Sequence, residues 1–84
     1  MNPKILVMMN NQILLTQIEE VGADIGEPDC KITEPFVVNG DMTISPWLVN
    51  MTNNNEFMIH SDKILTITEP NGTLVDKYND LVKE

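Results

Sequence analysis

The stretch "KILVMMNNQILLTQIEEV", residues 4–21, decides how this chain folds. Its first run, Lys4 to Met9, is apolar at every position after the lysine, as expected of a strand covered on both faces. Asn10-Asn11 follows. Asparagine tolerates positive φ better than other non-glycine residues, so this pair between two apolar runs predicts a tight hairpin turn. The second run reads two ways. Leu14, Thr16 and Ile18 alternate against Ile13, Leu15 and Val21 as in a strand, while Ile13, Leu14, Gln17, Ile18 and Val21 also recur at helical spacing. The two-asparagine link decides for the strand, because a helix begun there has no room to pack on the strand before it.

From this hairpin outward, the remaining segments continue the β pattern. "GADIGEPD" (22–29) has two glycines, a proline and three acids, and reads as an exposed loop. Asp24, Glu27 and Asp29 offer oxygens to a hard cation, but the spacing lacks the alternating acids, glycine and final glutamate of a calcium loop. "CKITEPFVV" (30–38) is strand-like, and Pro35 removes a ladder donor, which places it at an edge, a bulge or a bend. "NGD" (39–41) is the strongest turn signal, and "MTISPWLV" after it is a weaker strand broken by Pro46. "EFMIH" and "KILTIT" then alternate as two strands around Ser61-Asp62, with Phe57 and Ile59 in the first and Leu65 and Ile67 in the second. "ITEP" occurs at 32–35 and 67–70, and Glu-Pro ends or bends a strand both times.

The last element is an amphipathic helix. Leu74, Val75, Tyr78, Leu81 and Val82 form one apolar stripe; Thr73 with Asp76 resembles a capping box, and Lys83 suits the helix macrodipole. The expected fold is mainly β: one domain over 1–84, a small, five-stranded, strongly bent antiparallel sheet or open barrel with one C-terminal α-helix. The strands are expected over about 4–9, 12–21, 30–38, 56–60 and 63–69, and the helix over about 73–83.

Composition narrows the function classes. A chain of 84 residues builds only a modest core, and its single cysteine, Cys30, rules out an intrachain disulfide. One cysteine and one histidine also cannot build a zinc site of the usual spacing, so outside help for the fold is expected from self-association. No run approaches the roughly 20 apolar residues of a membrane span, and the N-terminus has no secretory pattern, so a soluble cytoplasmic protein is expected. The sequons at Asn50 and Asn71 are then coincidental. Thirteen acidic residues against five lysines and no arginine give a formal net charge of -8, which repels phosphate backbones.

Catalysis finds little support. His60, Ser61 and Asp62 are consecutive, so in extended chain their side chains diverge instead of converging as a triad does. There is no nucleophile elbow, phosphate-binding glycine loop or His-Glu-x-x-His, and a lone cysteine is more often buried and inert than reactive. Neither an enzyme activity, a metal nor a cofactor is expected. Trp47 reads either as a partner contact or stacking platform, or as a lid on a small core in a chain of only four aromatic residues.

Two stretches resemble a known family. "LVMMNNQILLTQIEEV" looks like the first hairpin of the Sm-like proteins, which include the Sm and Sm-like ring proteins and the bacterial RNA chaperone of that superfamily. "FMIHSDKILTI" looks like their second motif, an apolar strand, a short turn and an apolar strand closing the barrel. The resemblance implies a ring of six or seven copies joined through the strands around Ser61-Asp62, with Phe57, Ile59, Ile64, Leu65 and Ile67 at the interface. It also implies uridine-rich or adenine-rich single-stranded RNA at the pore, held by His60, Ser61, Asp62 and Lys63. His60-Ser61 stands where that family commonly has Arg-Gly, Asp29 has no matching asparagine, and the family helix usually comes first. The asparagine and isoleucine richness without arginine is also similar to that of small marine phage proteins, which would place the protein in a host cytoplasm. Two readings remain: a ring-forming RNA binder, and a structural or adaptor oligomer using the acidic loop and Trp47 as contacts.

Overall fold

The starting hairpin forms as its asparagines dictate. In the computed structural model, which describes residues 2–48, 51 and 54–82, β1 (Lys4–Met8) pairs antiparallel with β2 (Ile13–Glu20). Asn11 takes a positive φ of 69°, and the Asn10 side chain accepts from the Gln12 amide at 3.0 Å. β3 (Cys30–Val38) pairs with β2, and two further strands lie along its other edge: β4 (Ile44–Pro46) and β5 (Glu56–Ile59). A 3-10 turn over Ser61–Lys63 leads into β6 (Ile64–Thr68), which crosses to pair with β1. The result is a mainly β protein: a six-stranded antiparallel open sheet in the order β4-β3-β2-β1-β6, with β5 also on β3, and one C-terminal helix, α1 (Gly72–Val82). The sixth strand is the short β4, within the segment that Pro46 weakens.

Pro35 makes the bend. Before it, residues 30–33 pair with β5; after it, residues 36–38 pair with β4. Glu34 takes a positive φ of 53°, a costly conformation for a residue with a side chain, and its amide donates to Asn55 O at 2.7 Å. The register against β2 slips at the same place, so that Thr16 lies opposite both Glu34 and Pro35. The hydroxyls of Thr16 (2.9 Å) and Tyr78 (3.1 Å) both donate to the Thr33 carbonyl, replacing the ladder bonds that the proline and the bulge remove.

Leu14, Leu15 and Thr16 are all fully buried, so β2 is covered on both faces. Leu14 belongs to an inner cluster with Leu6 and Ile32, against which Phe57, Ile59 and Ile64 pack from the far strands. For β5 and β6 to meet one cluster, the sheet must curl around it. Leu15 belongs to a second cluster with Phe36, Leu74 and Tyr78, which places α1 on the sheet's other face. The Phe36 and Tyr78 rings meet edge to face at 5.6 Å.

The helix starts one residue earlier than its apolar stripe suggests. Asn71 caps it, the side chain accepting from the Leu74 amide at 2.9 Å, so the capping role expected of Thr73 and Asp76 falls to the better N-cap residue. Leu74 and Tyr78 are buried, whereas Leu81 is exposed and lies outside the core. Lys83 and Asn50 fall outside the described residues. No helix among the described residues is long and apolar enough to cross a membrane.

Candidate binding site

The turn that carries the lone histidine is built from both ends of the sheet. Ser61 and Asp62 form the expected turn between two strands, a 3-10 turn that also takes in Lys63, expected to open the following strand; with about three residues per turn, consecutive side chains still point apart. Met9 donates its amide to the Lys63 carbonyl at 2.9 Å, tying the turn to the end of β1. From the other side, Asp29 accepts from both the Ser61 amide and the Ser61 hydroxyl, each at 2.8 Å. These two bonds hold the Asp29 carboxyl below its usual pKa. Asp29 therefore serves as the brace that joins the acidic loop to the turn, a role its sequence position alone does not reveal.

A shallow cavity of about 200 Å³ opens there, lined by Gly26, Glu27, Asp29, His60, Ser61 and Asp62. Three of the four residues expected to contact RNA thus share one concavity, and Lys63 is not among its walls. Three carboxylates flank the single imidazole, a field that disfavours a phosphate chain. The acidic loop folds on itself: Glu27 accepts from the Asp24 amide at 3.2 Å, and its own amide donates to the Asp24 carbonyl. Glu27 and Asp29 accordingly spend carboxylate oxygens on the Asp24 amide and on Ser61.

The five residues expected at a subunit interface divide into two groups. Phe57, Ile59 and Ile64 turn inward and are half-buried on the inner cluster of their own chain. Leu65 and Ile67 are 56% and 52% exposed. They border a cleft of about 470 Å³ between β6 and the far end of β2, where Ile18, Glu19 and Glu20 form the opposite wall. Cys30 also reaches this cleft, and burial, with Asp29 and Glu20 nearby, pushes its thiol above the ordinary range, which keeps it protonated. Beyond Leu65 and Ile67 the outer edge of β6 pairs with no strand among the described residues.

Trp47 is half-buried. Its ring meets Phe57 edge to face at 5.5 Å and covers the end of the inner cluster, while its amide donates to the Pro35 carbonyl at 3.1 Å. One side of it still borders a cavity of about 170 Å³, shared with Glu34, Pro35, Pro46 and Asn55. Composition pointed to Trp47, but not to Glu34, which enters this cavity only because β3 bends.

No curated protein matches the chain significantly. A family model does, over residues 1–83, and the chain accordingly belongs to the family described as "Family of unknown function (DUF6561)".

Proposed function

We propose that the protein is a homo-oligomeric binding module whose copies join through the free edge of β6. The observation that carries this reading is the composition of that edge. Natural edge strands are protected from chance pairing by charges, prolines or bulges; the register of Ile64–Thr68 slips once against Val7 and Met8, but the strand contains no charge and no proline, and it exposes Leu65 and Ile67. A strand of this kind is suited to pairing with another chain. The resemblance to Sm-like proteins suggests the geometry, head-to-tail pairing of β5 of one copy with β6 of the next, closing at six or seven copies.

Light scattering tests the assembly. A mass six or seven times the 9.5 kDa of one chain is expected, and replacement of both Leu65 and Ile67 by lysine is expected to reduce it to a single copy. A wild-type monomer at micromolar concentration would overturn the reading.

The most specific version places single-stranded RNA at the His60 turn, where Lys63 supplies the cationic group and His60 an imidazole. The adaptor version, in which the assembled module binds protein, is favoured by the carboxylates of Glu27, Asp29 and Asp62 around that turn and by the net charge of -8. Filter binding of short homopolymer RNA at low salt separates them. Binding that disappears in His60→Ala supports the RNA version, and an intact oligomer that retains no RNA leaves the adaptor. A cytosolic setting, in a host cell if the gene is a phage's, fits the unpaired Cys30.

A further inference from the structure

We infer that the corner between Trp47 and Phe57 is a binding site for an alkylammonium group. This goes beyond the oligomer reading, since the site lies within one copy and does not involve β6.

Shape supports it first. The two rings meet edge to face, their planes 72° apart and their centroids 5.5 Å from each other, so they form a corner, and Pro35 and Pro46 line the same cavity. Such walls suit the methyl or methylene groups of an amine, and an aromatic face attracts the positive charge they carry. At about 170 Å³ the cavity is well below the 300–1,000 Å³ typical of sites for whole small-molecule ligands, but sufficient for one cationic head group.

Charge supports it independently. Glu34 lines the same cavity, and its carboxylate does not swing freely: Oε1 accepts from Asn55 Nδ2 at 2.8 Å, while the Glu34 backbone is pinned to Asn55 O at 2.7 Å. Its positive φ of 53°, immediately before a proline, is a conformation that folded chains maintain mainly where the surroundings enforce it, often at ligand sites. A carboxylate held by Asn55, on a residue that lines the same cavity as two aromatic rings, favours a cation over a neutral group of equal shape. The net charge of -8 adds a long-range attraction of the same sign.

The chain's single tryptophan reports on its own site. Trp47 fluorescence would be titrated with choline chloride, with matched sodium chloride, and with 3,3-dimethylbutan-1-ol, the uncharged isostere of choline. A saturable response to choline, at least tenfold weaker or absent with the alcohol, is expected. Glu34→Gln should weaken choline binding about 2-fold to 5-fold, the range of a single partly exposed ion pair. Should that variant fail to fold by circular dichroism, Phe57→Leu keeps the reporter, removes one wall, and is expected to weaken binding severalfold. Peptides containing lysine or trimethyllysine then identify the source: tighter binding than choline points to a partner's side chain, and equal binding to a free amine. An equal response to the alcohol, a response that never saturates, or binding unchanged in both variants would overturn the assignment.

Discussion

Two strands of similar composition end in opposite surroundings. In β2, Ile13-Leu14-Leu15-Thr16 contains three consecutive fully buried residues; in β6, Ile64-Leu65-Thr66-Ile67-Thr68 contains no buried residue and four exposed ones. Both are rich in leucine, isoleucine and threonine, so intrinsic strand preference does not separate them. Position does. β2 has a strand on each edge, the inner cluster on one face and α1 against the other, whereas β6 has one neighbouring strand and an open cleft. The same apolar residues that stabilise the chain when internal become an adhesive surface at the rim.

The sharpest way to break this comparison is truncation of matched leucines. Leu14→Ala is expected to cost about 2–5 kcal/mol in urea unfolding, because it removes buried volume from a packed cluster. Leu65→Ala, measured at a concentration where copies dissociate, is expected to change stability by no more than about 0.5 kcal/mol. Equal costs would mean that β6 is covered within a single copy. Repeating the Leu65→Ala measurement at rising protein concentration sharpens the point, since a penalty that grows with concentration locates the cover in a second chain.

Matched threonines probe the same contrast more gently. Thr16→Val leaves the Thr33 carbonyl with one donor fewer at the β3 bend, and a loss of about 1–2 kcal/mol is expected. Thr66→Val on exposed β6 is expected to be close to neutral by the same assay. Tyr78→Phe removes the other donor to Thr33 while keeping the ring against Phe36, and about 0.5–1.5 kcal/mol is expected. Thr16→Val and Tyr78→Phe together should cost more than their sum, as a double-mutant cycle would reveal, because they remove both side-chain donors from one carbonyl.

The smallest effect is in acid. Hydrogen bonds from Ser61 hold Asp29, and hydrogen bonds from Thr43 hold Asp41, below the ordinary aspartate pKa of about 3.9. A carboxyl lowered in the folded state binds fewer protons there than in the unfolded chain, so its contribution to stability is complete above that value. It is lost as pH falls through the folded pKa. Unfolding midpoints measured from pH 6 to pH 2 should therefore fall only below about pH 4. Ser61→Ala should flatten part of that fall, and an unchanged profile would show that the brace between loop and turn contributes nothing.

Much of the architecture was legible because it rests on local chemistry. The asparagine pair made its turn, and the strand-like run over 30–38 marked a strand that Pro35 then bent. Turn detail was less legible. In the Asn39-Gly40-Asp41 turn the positive φ falls on Met42, not on the glycine, since Asp41 binds the Thr43 amide and hydroxyl and sets the conformation around it. The site was legible only in part. His60, Ser61 and Asp62 gather at one cavity as neighbours must, but Asp29 lies 32 positions from Ser61 and reaches it only because β3 begins beside the turn. Glu34 was hidden for the same reason: nothing in "ITEPF" shows that it will line one cavity with a tryptophan.

By itself the sequence determined where the chain extends, where it turns and that it ends in an amphipathic helix, because those outcomes depend on residues within a few positions of one another. It also determined a strongly acidic molecule without a disulfide. Only the tertiary structure decided which apolar strand is enclosed and which is left at the rim, since burial depends on how many neighbours an element acquires and the ladder partners of β6 lie more than fifty residues away in sequence. The same long-range step placed Asp29 against Ser61 and Glu34 beside Trp47, turning scattered carboxylates into a brace and a candidate cation site.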